Sequence, residues 1–120
     1  MSKYVLAAVD DMFFAAKILG TAEQMGLHVT FAKSVEAAID KAREESPALI
    51  LADLHSSKFD PFTLAAELKA DESLRDIPLI GFFSHVQTEL QQRAEQAGFD
   101  KVMPRSAFSK RLPEILKGYS

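Results

Sequence analysis

The sequence predicts an α/β domain built on a parallel sheet, and two observations point to that class. Apolar runs without polar alternation occur at residues 4–9, 48–52 and 78–83, which is typical of strands that are covered on both faces. Longer segments with apolar residues at helical spacing lie between these runs. Strands that alternate with helices favour a parallel sheet with right-handed crossovers. The length of 120 residues suits one core, so we expect a single domain over residues 1–120.

The first helices of this alternation are marked by periodic apolar residues. Phe14, Ile18 and Met25 recur at helical spacing after the first apolar run, and Gly26 is the kind of residue that ends a helix. A weaker apolar run at residues 28–32 predicts the second strand. The second helix carries four apolar residues at helical spacing, which are Val35, Ala38, Ile39 and Ala42.

Capping residues and glycine mark the boundaries of the later helices. Ser34 is placed to cap the second helix, and Asp60 before Pro61 predicts a capped helix with proline at its first position. A helix over residues 86–97 is expected to end at Gly98.

The end of the chain is less regular. Residues 101–103 predict a short fifth strand. Pro113 falls in the helical segment after it, where it either starts the last helix late or removes a hydrogen bond from its first turn. We therefore expect a shortened last helix.

Composition excludes several kinds of function. The formal net charge is -3 and the basic residues form no long stripe, so we expect no nucleic acid partner. The absence of cysteine from the sequence excludes a disulfide framework and thiolate metal sites within it. No apolar run approaches the roughly 20 residues of a membrane span, and the start does not read as a signal peptide. We expect a cytoplasmic protein without membrane contact.

Acidic residues follow two of the predicted strands. Asp10 and Asp11 come after the first strand and Asp53 comes after the third. Neighbouring strands lie about 5 Å apart and ligands collect at their carboxyl ends, so these carboxylates are expected to converge. Three anions repel one another unless a cation lies among them, and oxygen ligands suit Mg²⁺. The alternative is that Asp10 and Asp11 only open the first helix and Asp53 only caps a loop.

Other kinds of site are less well supported. The turn after the first strand has no glycine and carries negative charge where a phosphate would need backbone donors, which argues against a flavin or dinucleotide site. His55 and His85 flank the acidic residues and with Asp53 could form a mixed nitrogen and oxygen site for a transition metal.

Several spaced motifs carry a resemblance to a known family. An acidic pair follows the first strand, Asp53 and Leu54 follow the third, "DIPLI" at residues 76–80 opens the fourth, and "AGFDKVMPR" spans residues 97–105. With this set, the chain resembles the receiver (CheY-like) domain of two-component response regulators over its whole length, as an atypical variant. The resemblance implies one doubly wound, flavodoxin-like sheet of five parallel strands in the order 2-1-3-4-5, flanked by five helices.

The resemblance also implies a role for each acidic residue. Asp53 would be the phosphoacceptor in a phosphorelay, taking a phosphoryl group from a sensor histidine kinase, a phosphotransfer protein or a small phosphodonor with the help of Mg²⁺. Asp11, Asp53 and the backbone carbonyl of His55 would bind the metal directly, and Asp10 would bind it through water. A protein of this family would signal to a downstream protein partner and could form a homodimer. It would not be an enzyme that turns over a metabolite.

Four residues stand at or beside positions that depart from the family pattern. Phe83 stands where the family carries a Thr or Ser that contacts the phosphoryl group, with Ser84 next to it. Val102 replaces an aromatic residue, and Arg105 replaces a lysine. These departures leave an alternative open, a phosphorylation-independent pseudo-receiver that serves as a constitutive interaction module. Because arginine can hold a carboxylate with two hydrogen bonds, a further hypothesis pairs Arg105 with Asp53.

Phenylalanines are frequent near the predicted site. We expect Phe14, Phe82 and Phe83 to belong to the core. Phe13 and Phe59 are expected to be exposed, where they could form a docking patch for a partner.

Overall fold

The computed structural model describes residues 4–56, 59–84 and 88–118. Five parallel strands form one sheet in the order β2-β1-β3-β4-β5, with α-helices between them. In chain order the elements are β1 (Tyr4–Ala8), α1 (Met12–Gln24), β2 (His28–Phe31), α2 (Val35–Glu44), β3 (Leu49–Asp53), α3 (Pro61–Ala70), β4 (Leu79–Phe83), α4 (Thr88–Ala97), β5 (Lys101–Pro104) and α5 (Arg105–Lys117). The α/β class and the predicted strand order are confirmed, and the predicted strand ends differ from these bounds by one residue.

The sheet divides the core into two layers because successive side chains of a strand point to opposite faces. In β3, Ile50 and Ala52 pack with buried residues of α2, α3 and α4. Leu49 and Leu51 pack on the other face, together with buried residues of α1 and α5. Asp53 continues the second series, so its side chain belongs to the face covered by α1 and α5, which we call the α1/α5 face.

The caps of α2 and α3 were predicted from local sequence, whereas opening of the first helix by Asp11 was the alternative to a metal role. Asp11 caps α1, Ser34 caps α2, and Asp60 caps α3 with Pro61 at its start. Each of these side chains accepts hydrogen bonds from backbone N–H groups in the first turn, which have no partner inside the helix. Gly26 follows α1 with a φ of 74°, a conformation that glycine adopts without strain.

The last helix corrects the prediction of a shortened element. α5 begins at Arg105 and continues for 13 residues, with Pro113 in its interior rather than in its first turn. A proline inside a helix costs about 3 kcal/mol, but each fully buried Leu or Phe contributes about 1.5–3 kcal/mol. Phe108, Leu112 and Leu116 are all fully buried, so burial of this apolar stripe outweighs the missing hydrogen bond.

Three aromatic rings in mutual contact join α1 and α5 to the sheet. The ring centroids of Phe14 and Phe82 lie 4.6 Å apart, and those of Phe82 and Phe108 lie 4.7 Å apart. Phe83 is buried on the opposite face. The expectation that Phe59 is exposed is wrong, because only 6% of its surface is accessible, whereas Phe13 is 90% exposed as predicted. None of the helices in the described ranges is long and apolar enough to cross a membrane.

Candidate functional site

The predicted acidic residues lie at one edge of the sheet. β1 pairs with β3 in a register that places Ala8 opposite Ala52, so the two strands end side by side. Asp10 and Asp11 follow β1, and Asp53 is the last residue of β3. The acidic strand ends are therefore adjacent, as the sequence predicted.

Asp53 is the only polar or charged residue that is buried among those described, with 8% of its surface exposed. Its Oδ1 accepts a hydrogen bond of 2.8 Å from the backbone N–H of His55. Burial raises the pKa of the Asp53 carboxyl, and the nearby Asp10 carboxylate raises this pKa further. The His55 N–H and the positive charge of Arg105 act in the opposite direction. Both Asp10 and Arg105 therefore lie close enough to Asp53 to influence its charge.

Asp11 is bonded through both of its carboxylate oxygens. Oδ1 accepts the backbone N–H groups of Phe13 at 2.9 Å and Phe14 at 3.1 Å. Oδ2 accepts a hydrogen bond from Nη2 of Arg105, with which Asp11 forms an ion pair. The Arg105 guanidinium and then the Phe14 N–H hold the pKa of the Asp11 carboxyl below its usual value. Asp11 is thus both the cap of α1 and the partner of Arg105.

Arg105 is held from two sides. Its guanidinium carbon lies 4.5 Å from the centre of the Phe14 ring, while its Nη2 donates to Asp11. The hypothesis that Arg105 pairs with Asp53 is corrected, because the hydrogen-bonded partner is Asp11. A physical reason is that Asp11 stands at the N-terminus of α1, which favours its anionic form, whereas burial disfavours the anionic form of Asp53 and raises its pKa.

The loop after β3 is fastened to Asp10. The hydroxyl of Ser56 donates to Oδ2 of Asp10 at 3.2 Å, and the backbone N–H of Phe59 donates to the same hydroxyl oxygen at 3.3 Å. Sequence reasoning missed Ser56. The available signal was a hydroxyl residue three positions after Asp53, in a loop that must pass the acidic edge.

The site as arranged does not fit a magnesium ion. Across residues 4–56, 59–84 and 88–118, no group of three or more Asp, Glu, His or Cys side chains is positioned to hold a metal ion. Oxygen donors are the correct kind for Mg²⁺, but both oxygens of Asp11 already accept hydrogen bonds. The metal roles of Asp10, Asp11, Asp53 and the His55 carbonyl stay predictions. His85, the second histidine of the transition-metal alternative, lies outside the described residues.

The neighbouring strand ends, those of β4 and β5, carry the residues that depart from the family pattern. Phe83 is 2% exposed and stands opposite Pro104, while Ser84 is exposed to solvent. Val102 is half-buried and stands opposite Gly81. The position aligned with the family Thr or Ser therefore holds a buried ring without a hydroxyl.

Comparisons with known proteins agree with this architecture. No family model matches the chain. The polar-differentiation response regulator DivK of Brucella ovis is 28% identical over 119 residues, which cover 99% of this chain and 97% of the relative. The chemotaxis protein CheY4 of Vibrio cholerae superposes with a TM-score of 0.86 at 17% identity, with complete coverage of both chains. The phosphorylated cyanobacterial phytochrome response regulator RcpA gives a TM-score of 0.80 at 22% identity, covering 98% of this chain and 91% of that one. The fold is that of a CheY-like receiver domain, and the sequence is similar to response regulators over nearly its whole length.

Proposed function

We propose that this chain is the receiver domain of a two-component response regulator and accepts a phosphoryl group on Asp53. The observation that supports this function most strongly is the placement of Asp53. It is the one buried polar or charged residue of the described chain, and it stands at the carboxyl end of the third strand. Ligands in doubly wound sheets bind at this edge.

The chemistry would be transfer of a phosphoryl group to a carboxylate. One oxygen of Asp53 attacks the phosphorus, the bond between phosphorus and the donor breaks, and an acyl phosphate remains on Asp53. With a phosphohistidine as donor, the leaving imidazole takes up a proton. The backbone N–H of His55 fixes Oδ1 of Asp53, and no other hydrogen bond to this carboxylate is present among the described residues. Oδ2 is therefore the oxygen better placed to attack.

A protein partner fits the surface next to the site. Met12 is 85% exposed and Phe13 is 90% exposed, and both open α1 directly after the acidic pair. Exposed apolar side chains beside a site are typical of surfaces that bind other proteins. We assign this region to contact with a sensor histidine kinase or a phosphotransfer protein. The chain would act in the cytoplasm, signal to a downstream protein and carry out no turnover of a metabolite.

Phosphorylation is tested by incubating the protein with acetyl phosphate and Mg²⁺ and measuring the intact mass. We expect one phosphoryl adduct on the wild type and none on Asp53→Asn. Asp60→Asn is the matched control, because Asp60 is an acidic cap on another helix and asparagine also caps helices. A wild type without adduct, or an adduct that survives in folded Asp53→Asn, would reject the proposal. A wild type without adduct would favour the phosphorylation-independent pseudo-receiver. The similarity to response regulators does not favour that alternative.

A further inference from the structure

We infer that Arg105 is an internal cation of the acidic site and competes with divalent metal ions for Asp11. The inference concerns the binding of cations, so it holds whether or not Asp53 accepts a phosphoryl group. Carboxylates at this edge are the kind of ligand that divalent cations prefer, but both oxygens of Asp11 already accept hydrogen bonds within the protein.

The first step is the occupation of Asp11. Its Oδ1 is used by two N–H groups of α1, and its Oδ2 is used by the Arg105 guanidinium. A metal ion that binds Asp11 directly needs one of these oxygens. Opening the α1 cap would leave backbone donors without partners, whereas the guanidinium of Arg105 can turn into solvent, since its side chain is 33% exposed. Arg105 is therefore the group that must leave.

The second step is the preorganisation of Arg105. A guanidinium over an aromatic face gains a cation–π attraction. The ring concerned, that of Phe14, is itself fixed by contacts with the rings of Phe82 and Phe108. One helix turn further along, Lys17 of α1 donates a hydrogen bond to Ser109 of α5. These contacts hold the start of α5 beside the start of α1, so the Arg105 side chain is preorganised for its contact with Asp11.

The third step is electrostatic. The guanidinium lowers the pKa of Asp11 and also acts on Asp53, so one positive charge serves carboxylates from two strands. While Arg105 is paired with Asp11, that carboxylate does not attract a divalent ion. The positive charge of Arg105 also repels the ion. A divalent ion would bind directly to Asp11 only in the state in which Arg105 has left it, so the affinity falls in proportion to the population of that state. For a partly exposed pair and one nearby charge we expect a weakening of about tenfold.

The test is a titration of the full chain with MgCl₂, followed by the backbone amide NMR signals of Asp10, Asp11 and Asp53. Arg105→Gln removes the charge and keeps the length of the side chain. Arg111→Gln is the matched control, because Arg111 is an exposed arginine of the same helix. We expect Mg²⁺ to bind Arg105→Gln about tenfold more tightly than the wild type, and Arg111→Gln to stay within about twofold of it.

A second variant identifies the carboxylate that is released. Asp11→Asn in the Arg105→Gln background is expected to lose the gain in affinity, because asparagine keeps the α1 cap but supplies no anionic ligand. An Arg105→Gln protein that binds Mg²⁺ no more tightly than the wild type overturns the inference. So does a gain that persists without Asp11. If Arg105→Gln does not give a folded spectrum, Arg105→Met replaces it, since methionine lacks the charge and can still pack against the Phe14 ring. Tighter binding by Arg105→Met supports the inference, and equal or weaker binding contradicts it.

Discussion

The carboxyl edge of the sheet has two halves with different chemistry. The acidic half consists of Asp10, Asp11 and Asp53, at the ends of β1 and β3. The apolar half consists of the ends of β4 and β5, where Phe83 is buried and Val102 is half-buried. Side chains of the acidic half are held by hydrogen bonds and charge, whereas those of the apolar half are held by burial. Substitutions in the two halves should therefore differ in both size and pH dependence.

Packing accounts for the apolar side chains at the ends of β4 and β5. Phe83 belongs to the buried cluster between the sheet and helices α2, α3 and α4, and the ring fills space that a hydroxyl residue would leave empty. A group that moves in response to a phosphoryl ligand needs room for a second position. The fully packed Phe83 has no such room, because packed interiors do not deform continuously. Any response to events at Asp53 would have to pass through other contacts of the site.

The largest expected effect comes from Phe83→Thr, which places in the apolar half a residue type that receiver domains carry at this position. Phe83→Thr removes a buried ring, leaves a cavity and buries a hydroxyl, so we expect the free energy of unfolding to fall by about 3–5 kcal/mol. Equilibrium unfolding in urea measures this loss. Phe83→Leu is the matched control and should cost only about 1 kcal/mol, since it keeps an apolar side chain of similar volume.

The outcome of this substitution bears directly on the difference between the halves. A Phe83→Thr protein as stable as the wild type would mean that the β4 end tolerates the hydroxyl and that packing does not exclude it. The two halves would then differ only in the residues they happen to carry.

A smaller effect is expected at Gly81 in the middle of β4. A Cβ at this position would lie 2.9 Å from ring atoms of Phe99 and 3.2 Å from a methyl carbon of Leu54. Both neighbours are buried, so Gly81→Ala should destabilise the protein by about 1–3 kcal/mol through overpacking. Thermal or urea unfolding provides the measurement.

Gly20 supplies the control for this prediction. It lies in α1 with nothing within 4 Å of its Cβ position. Alanine in an exposed helix interior should stabilise the protein by about 0.5–1 kcal/mol. Gly20→Ala and Gly81→Ala should thus have effects of opposite sign, and destabilisation by both would point to a general intolerance of alanine rather than to close packing beside Phe99.

Local signals predicted the fold and the position of the site, but not its bonding. Continuous apolar runs identified the strands, and Ser34 and Asp60 identified helix starts because capping depends on residues close in sequence. The ion pair between Arg105 and Asp11 joins residues 94 positions apart. Its choice of Asp11 over Asp53 depends on how two helix ends meet, which no local pattern encodes.

Two of the wrong predictions, those for the last helix and for Phe59, have the same origin. Pro113 suggested a short helix and Phe59 suggested an exposed ring, since both were judged by neighbours in sequence. In the folded chain, burial of three α5 side chains sets the length of α5. The Phe59 ring packs in the buried cluster between the sheet and helices α2, α3 and α4, and its backbone N–H donates to the Ser56 hydroxyl. Tertiary packing overrides local propensity at both positions.

The smallest effects are expected from the charges of the acidic half, and there the size of the change in stability depends on pH. The pKa of Asp11 is lowered in the fold, chiefly by Arg105. Its contribution to stability is therefore present above the unfolded value near 3.8 and is lost as the pH falls through the folded value. Asp11→Asn keeps the α1 cap, so at pH 7 it should cost only about 0.5 kcal/mol, as is usual for a pair that is about one-third exposed. This difference should vanish at acidic pH.

Asp53 is expected to give the opposite slope. Burial and the neighbouring Asp10 carboxylate raise its pKa in the fold, so folding favours the protonated acid and stability falls as the pH rises from the unfolded value towards the folded one. Asp53→Asn removes this penalty and should be more stable than the wild type at pH 7, with no advantage at pH 3. Unfolding midpoints in urea at both pH values measure each variant against Phe83→Leu, whose change in stability should not depend on pH. Parallel slopes for Asp11→Asn and Asp53→Asn would mean that burial and ion pairing do not separate these two carboxylates, and the acidic half would then respond as a single cluster of exposed charges.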